Sequence, residues 1–277
     1  MAKQPLNQDR NFDELAARFK KNIYGGLKGE IRLAVLQRDF CEYIPCAPFS
    51  SASTAKRLRI LDAGGGQGQF SLLFARAGHD VVICDISAEM LKLAEEVVAQ
   101  EGLQDRVTLL HCAIQDLDGA IQDLTAHSLS AKAGFDLVLC HAVVEWMVEP
   151  QSLLPCLLDY LKPQGYLSFT FYNLNSLIYK NLLRTNFKKI IAQDYGGARG
   201  SLTPINPLAP EMVDTWLASL PLKLLSRSGI RVFHDYIFDA ENREREPENI
   251  IALELQYSKQ EPFLSLGRYI HILAVKA

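Results

Sequence analysis

The sequence predicts an α/β protein built on a doubly wound, mostly parallel sheet, and three observations carry that expectation. From Arg59 onward, short apolar runs alternate with helical patterns, as in strand–helix–strand units whose strands lie parallel. A glycine cluster, Gly64 to Gly66 with Gly68, separates the first apolar run from the first helical one. After the alternation stops, Gly229 to Phe238 and Gly267 to Val275 both read as strands. The last of them is expected to return antiparallel into the sheet.

The elements follow in order. Phe12 to Phe40 reads as helix interrupted at Gly25-Gly26, with Leu15, Phe19 and Ile23 before the break and Ile31, Val35, Leu36 and Phe40 after it. Residues 1–50 are therefore expected to form an N-terminal helical cap, and residues 51–277 the ligand-binding domain, with an insertion at about 173–210. Ala47 to Ala55 is a Pro/Ser/Thr loop. The run ending Ile60-Leu61-Asp62 is a strand, Phe70 to Ala77 a helix and Asp80 to Cys84 the second strand. In the helix from Ser87 to Gln100, Ser87 is the cap and Met90, Leu91, Leu93, Ala94, Val97 and Val98 form the buried stripe. Val107 to Cys112 and Phe135 to Cys140 are the third and fourth strands. Lys162-Pro163-Gln164-Gly165 is expected to turn the chain into a fifth, Tyr166 to Tyr172.

In such a sheet, ligands bind at the carboxyl ends of the strands. Gly64, Asp85, Ile114 and His141 all fall there. Glycines suit a strand-to-helix turn because they adopt positive φ freely and let a ligand press against the backbone. Asp85, seventeen residues after Gly68, is placed to accept the hydroxyls of a ribose, with Ile86 beside it. A dinucleotide fingerprint reads G-x-G-x-x-G, but here the third glycine comes one residue early and Asp62 precedes the turn. A carboxylate there would repel a pyrophosphate. It suits a nucleoside carrying an ammonium and a sulfonium, such as S-adenosylmethionine. Gln115 or Asp116 falls where an adenine amino group would lie, and Ile114 where its face would pack.

Composition narrows the class. The chain has 277 residues, 48% hydrophobic and 22% charged, ordinary for one sizeable α/β domain. No apolar run approaches the roughly 20 residues of a membrane span, and Met1 to Arg10 lacks an apolar signal core. A cytoplasmic protein with no membrane part and no obligate protein partner is expected. The six cysteines read as reduced thiols packed as small hydrophobes. Cys41 and Cys46 have no second pair nearby, so no metal is expected. The net charge of −3 hides an uneven distribution: Met1 to Arg38 holds eight Lys/Arg against four Asp/Glu, and Tyr172 to His234 eight against three. Each segment alone reads as a solvated helix face; folded over one end of the sheet, they would make a positive rim.

Several motifs are recognisable together. Asp62-Ala-Gly-Gly-Gly-Gln-Gly, Asp85, His141-Ala-Val-Val-Glu-Trp and Lys162-Pro-Gln-Gly resemble the class I S-adenosylmethionine-dependent methyltransferases. Gln8-Asp9-Arg10-Asn11-Phe12-Asp13, Asn22-Ile23-Tyr24-Gly25, Gly229 to Tyr236 and Leu266 to His271 are similar to one branch of them, the bacterial tRNA 5-carboxymethoxyuridine methyltransferases. The resemblance implies a class I methyltransferase (Rossmann-like) fold. It implies methylation of the carboxylate of 5-carboxymethoxyuridine at the tRNA wobble position, with S-adenosylhomocysteine as the other product. It also implies cofactor contacts at Arg32, Gly64, Gly65, Asp85, Ile114, Gln115 and His141; the residue reading adds Asp62, Gly66 and Ile86. Gln164 departs from the class, where glycine is commoner in the turn before the fifth strand.

A substrate carboxylate is ionised at neutral pH and needs no general base. It needs alignment and a cationic clamp, for which Arg231, Arg268, Tyr172 and His234 are candidates. Both arginines are expected in strands, where the plainer reading is an exposed ladder residue. For the tRNA anticodon arm, Lys180, Arg184, Lys188, Lys189 and Arg199 lie in the insertion; the spacing of the first three puts them on one helical face. Two other classes compete. A small-molecule methyltransferase acting on a free acid or amine would not need the basic insertion, and a nicotinamide-dependent oxidoreductase or nucleotide-binding module would not place Asp62 before the turn.

Overall fold

In the computed structural model, which describes residues 9–15, 25–46, 48–49, 56–125, 134–197, 203–239 and 241–277, the alternation becomes a seven-stranded sheet. The strands are β1 (Arg59–Ala63), β2 (Asp80–Asp85), β3 (Val107–His111), β4 (Phe135–His141), β5 (Leu161–Tyr172), β6 (Leu222–Ile230) and β7 (Tyr269–Lys276). Their order is β3-β2-β1-β4-β5-β7-β6. All pairs up to β4–β5 are parallel, and β7 runs antiparallel to both its neighbours. The helices are α1 (Gly26–Tyr43), α2 (Leu72–Arg76), α3 (Ala88–Gln100), α4 (Leu117–Thr125) and α5 (Leu153–Tyr160), then α6 (Leu174–Leu183), α7 (Phe187–Ile191), α8 (Pro210–Ala218), α9 (Pro247–Tyr257) and α10 (Phe263–Leu266).

The period-two alternation of side chains explains why the strands are apolar throughout. Leu61, Cys84, Val138, Cys140 and Phe169 face one core with α4 and α5. Ile60, Ile83, Leu137, Leu139 and Leu273 face another with α1 and α2. Helix α1 is tied to the sheet by Val35, Leu36 and Phe40, all essentially inaccessible to solvent. The Phe40 ring lies 5.1 Å from Phe70 and 5.7 Å from Phe74. Burying one such side chain contributes about 1.5–3 kcal/mol, and polar contacts from Arg38 and Asp39 to Ser228 and His271 fix the helix on β6 and β7.

Three expectations need correction. First, the strand placed at Gly229 to Phe238 runs from Leu222 to Ile230 instead. Arg231 takes φ 60°, and His234 lies in a 3₁₀ turn, His234–Tyr236. The cause is Glu254 on α9, a buried carboxylate that accepts the N–H groups of Val232 (2.6 Å), Phe233 (3.1 Å) and His234 (2.8 Å), donors a strand would have given to a neighbour. Arg231 and Arg268 thus sit just outside β6 and β7. Second, Lys162 to Gly165 does not reverse the chain. It is an irregular start to β5, whose pairing with β4 jumps from Phe135↔Leu161 to Leu137↔Tyr166, and Gln164 takes the left-handed φ of 60° that glycine would favour. Third, Lys180, Arg184 and Lys188 do not share one helical face. Helix α6 ends at Leu183 with Arg184 as its cap, Thr185 turns at φ 56°, and Lys188 belongs to α7. Arg199, like Phe19 and Ile23, lies outside the described residues.

Candidate cofactor cleft and substrate site

The carboxyl ends of β1, β2 and β4 open into a cleft of about 780 Å³. Its wall includes Arg32 from α1, Gly64 and Gly66 from the turn after β1, Asp85 and Ile86 after β2, Ile114 and Gln115 after β3, and His141 after β4. These are eight of the ten cofactor residues expected from the sequence. The other two, Asp62 and Gly65, are stacked behind the wall: a Cβ on Gly65 would collide with the Asp62 carboxyl.

The turn is shaped for contact, not for anion binding. Gly64 takes φ 69°, and a Cβ there would come within 2.5 Å of Val143 Cγ2. Its N–H and that of Gly65 donate to Cys84 O at 2.8 and 3.1 Å, and the N–H of Gly66 donates to Asp85 Oδ2 at 2.8 Å. These three N–H groups are thus spent within the protein and are not offered to a pyrophosphate. Asp85 Oδ1 accepts from Ser87 N at 2.8 Å, so each carboxylate oxygen keeps a lone pair for a hydroxyl. Burial raises the Asp85 pKa, and the two backbone donors oppose that. Asp62 is pushed up to about 7 by burial, with repulsion from Asp85 adding and the Ser71 hydroxyl and Arg32 opposing.

His141 ends β4 at the cleft and heads a chain of buried hydrogen bonds that crosses the sheet. Its Nε2 lies 2.8 Å from Ser168 Oγ on β5, which lies 2.9 Å from His271 Nε2 on β7. His271 Nδ1 lies 2.7 Å from Asp39 Oδ2 on α1. Burial alone would raise the Asp39 pKa. The His271 hydrogen bond, the charges of His271 and Arg38, and the Ser228 hydroxyl outweigh it and hold Asp39 well below the usual carboxylate range. An ionised Asp39 can only accept, so Nδ1 of His271 carries hydrogen. The Ser168 hydroxyl bridges the two rings, with one proton to donate to one of them and lone pairs to accept from the other. Burial, then the positive surroundings of His271 and Arg32, keep His141 far below its ordinary pKa and therefore neutral.

One edge of the cleft was not assigned to the site from the sequence. Asp9, Arg10 and Phe12 line it, held by a strap of contacts along residues 9–13. Asp9 accepts from Val148 N (2.8 Å) and Gln115 Nε2 (3.2 Å). Arg10 N donates to Trp146 O at 3.2 Å. Asn11 Nδ2 donates to Ile86 O at 3.0 Å, and Asp13 Oδ1 accepts from Ser87 Oγ at 2.7 Å. Phe12 meets Trp146 edge to face at 4.8 Å. Only the motif similarity of residues 8–13 distinguishes this polar segment in the sequence.

Beyond His141, which pairs with Thr170, β5 ends at Tyr172, where the substrate candidates meet. Arg268 lies over the Tyr172 ring at 4.4 Å and Arg231 over the Tyr269 ring at 5.6 Å. Both arginines reach Asp235 Oδ2, at 3.5 and 3.6 Å. Burial opposes ionisation of Asp235, but Arg231, His234, Arg268 and Lys180 together hold its pKa well below the ordinary value. His234 is wholly buried, and neither ring nitrogen has a hydrogen-bond partner. The Tyr172 hydroxyl and both oxygens of the buried Glu145 are also without partners. Burial lifts Glu145 to about 8, with the nearby N–H groups of Glu145 and Tyr172 moderating it from outside hydrogen-bond geometry. Of the insertion's cations, Arg184 and Lys188 are exposed and Lys180 and Lys189 half-buried. Among the described residues there is no cluster of three or more His, Cys, Asp or Glu able to hold a metal, and no helix long and apolar enough to cross a membrane.

Known proteins resemble this chain in sequence and in fold. A methyltransferase-domain profile matches residues 61–169. Over almost its full length the chain is similar to tRNA 5-carboxymethoxyuridine methyltransferase of Escherichia coli (strain K12), with 37% identity over 269 residues and 97% of either chain covered. A shorter span of 126 residues, 42% of each chain, is 32% identical to malonyl-[acyl-carrier protein] O-methyltransferase of Halalkalibacterium halodurans. Among solved structures, magnesium protoporphyrin IX methyltransferase of Synechocystis PCC 6803 with bound S-adenosylhomocysteine shares the fold, with a TM-score of 0.58 at 16% identity over 96% of each chain. With 37% identity running nearly end to end, the chain belongs to the tRNA 5-carboxymethoxyuridine methyltransferase family of S-adenosylmethionine-dependent enzymes.

Proposed function

We propose that the protein methylates the carboxylate of 5-carboxymethoxyuridine at the wobble position of tRNA, giving the methyl ester, in the cytoplasm where tRNA is modified. The observation that supports this most directly is the Arg231–Asp235–Arg268 cluster at Tyr172. Two guanidinium groups against one carboxylate leave a single positive charge, the complement of one substrate carboxylate. Asp235 also tempers the clamp, so the substrate oxygen keeps its nucleophilicity.

The cleft suits S-adenosylmethionine part by part. Asp85 takes the ribose hydroxyls, and Ile86 and Ile114 pack the adenine. Gln115, whose amide nitrogen is held by Asp9, offers its carbonyl oxygen to the adenine amino group. Gly64 and Gly66 let the backbone lie close, with Gly65 and Asp62 supporting them from behind. Arg32 faces the methionyl carboxylate, while Asp62 and a neutral His141 suit its ammonium. When bound, the cofactor supplies an electrophilic methyl on a sulfonium, which leaves as S-adenosylhomocysteine once a substrate oxygen has taken the methyl. The chain's own work is alignment: Arg231 and Arg268 fix the carboxylate, Tyr172 sets its approach, and the buried walls exclude water. His234 supports the 231–235 turn from within. No proton moves, in keeping with a neutral His141.

Lys180, Arg184, Lys188 and Lys189 provide the cationic approach for the anticodon arm. Incubation with S-adenosylmethionine and tRNA from cells lacking the activity, followed by nucleoside analysis, tests the proposal. The methyl ester of 5-carboxymethoxyuridine is expected, and its absence would refute it. Arg268→Lys is expected to lower kcat/KM at least a hundredfold while leaving S-adenosylhomocysteine binding unchanged, because an ammonium cannot reproduce a planar fork.

A further inference from the structure

Asp235 belongs to two places at once. It pairs with Arg231 and Arg268 beside Tyr172, and it lines a second hollow of about 280 Å³ between α6 and the segment that follows β6. Lys180 and Arg184 enter this hollow from α6, and Phe238 and Arg243 from the opposite side. Three cations face one acid, and that acid is already matched by two arginines. The crowding registers on Lys180, whose pKa falls to about 8: burial lowers it most, Arg268, Arg184 and Arg243 add to the fall, and Asp235 alone resists. Arg243 is anchored by its Nε–H, which donates to Ile237 O at 2.7 Å. Among the described residues this is the only hydrogen bond from its side chain, so the other guanidinium nitrogens remain available. Phe238 leaves 73% of its surface in solvent, a large apolar ring at the lip of a cationic hollow.

Crowded cations want an anion, and an exposed ring wants a flat apolar face. A single-stranded nucleic acid offers both at the spacing of one nucleotide, as phosphate and base. The hollow also adjoins the carboxylate clamp through Asp235, so an anion in it lies next to the modified nucleotide. Resting on the tRNA reading above, we propose that this hollow holds the phosphodiester flanking the wobble nucleotide, with Lys180, Arg184 and Arg243 on the phosphate and Phe238 stacking the adjacent base. Neither Phe238 nor Arg243 stands out in the sequence. Arg243 and Arg245 are outnumbered by Glu241, Glu244 and Glu246, so the stretch reads as acidic until the fold turns Arg243 toward the hollow.

The test uses the full chain, saturating S-adenosylhomocysteine and an anticodon stem-loop. Arg243→Glu is expected to weaken stem-loop binding at least tenfold and to lower the slope of log Kd against log salt by about one. Phe238→Ala is expected to weaken it about tenfold, with Phe238→Tyr restoring it. Cofactor affinity, measured by calorimetry on the same variants, stays unchanged and reports that they are folded. A methylphosphonate replacing the single phosphate next to the wobble nucleotide should cost the wild type as much as Arg243→Glu does, and add nothing when combined with it. If the wild type methylates tRNA while both variants bind the stem-loop normally, the hollow is not a phosphate site. If the wild type makes no methyl ester, the function itself is refuted, whatever the variants bind.

Discussion

Asp39 lies on α1, far in sequence from His141, yet a chain of hydrogen bonds through His271 and Ser168 joins them across the sheet. A cationic cofactor is better served by a neutral imidazole than by an imidazolium, and His141 is held neutral. Ser168→Ala leaves two ring nitrogens without their partner and should cost about 1–3 kcal/mol of stability for each that stays buried; it should also weaken S-adenosylmethionine binding about tenfold, with Ser168→Thr restoring it. Imidazole ¹⁵N shifts give a readout that packing alone would not move: His141 should be a single tautomer in the wild type and a mixture in Ser168→Ala. Asp39→Ala is a different experiment. It strips Arg38 (2.8 Å) and Lys259 (3.2 Å) of their shared counter-charge. Breaking a buried ion pair typically costs about 3–5 kcal/mol, which urea unfolding would measure.

Among the elements, the glycine elbow and the strap closing over it answer to different rules. Gly64→Ala places a side chain at φ 69° and against Val143. The backbone penalty is about 1–2 kcal/mol, and the collision adds to it. Trimming Val143 to Ala should relieve the collision and leave the backbone cost, so a double-mutant cycle read by S-adenosylhomocysteine affinity should show recovery that is real but partial. The elbow was legible because its chemistry is local: acid, glycines and helix lie within a dozen residues, and the strand-end positions of Asp85, Ile114 and His141 follow from alternation alone. What was not legible is set by partners distant in sequence. Glu254 captures three backbone N–H groups and so ends β6 before Arg231. Thr185 breaks the run that made 180, 184 and 188 look like one face. Asp39 and His271 find each other only once α1 packs on the sheet. The strap is held by short-range polar contacts to the three loops after β2, β3 and β4, which no periodicity in residues 9–13 announces.

For the molecule as a whole, two sets of buried acids pull the stability curve in opposite directions. Asp39 and Asp235 have pKa values held below their unfolded values. The stability they contribute is fully present above about pH 4 and lost as pH falls through their folded values. Asp62 and Glu145 have pKa values raised to about 7 and about 8. Their contribution is fully present below about pH 4 and lost as pH rises through those values. Each pH unit between a group's unfolded and folded pKa costs about 1.4 kcal/mol. His141, held neutral, works against this trend below its unfolded value of about 6.5, but it is one group against two. The cofactor-free protein is therefore expected to lose stability from about pH 5 to pH 8, a range in which many proteins are at their best. Asp62→Asn should remove the part of the slope below about pH 7, and Glu145→Gln the part that persists to about pH 8. A cofactor bearing an ammonium and a sulfonium near Asp62 favours the ionised carboxylate, so binding at pH 6 should release protons. Calorimetry in buffers of different ionisation enthalpy would count them, and the release should vanish in Asp62→Asn. A wild-type stability curve that climbs to a maximum near pH 8, or cofactor binding that leaves the proton count unchanged, would mean that Asp62 is already ionised behind the glycine turn.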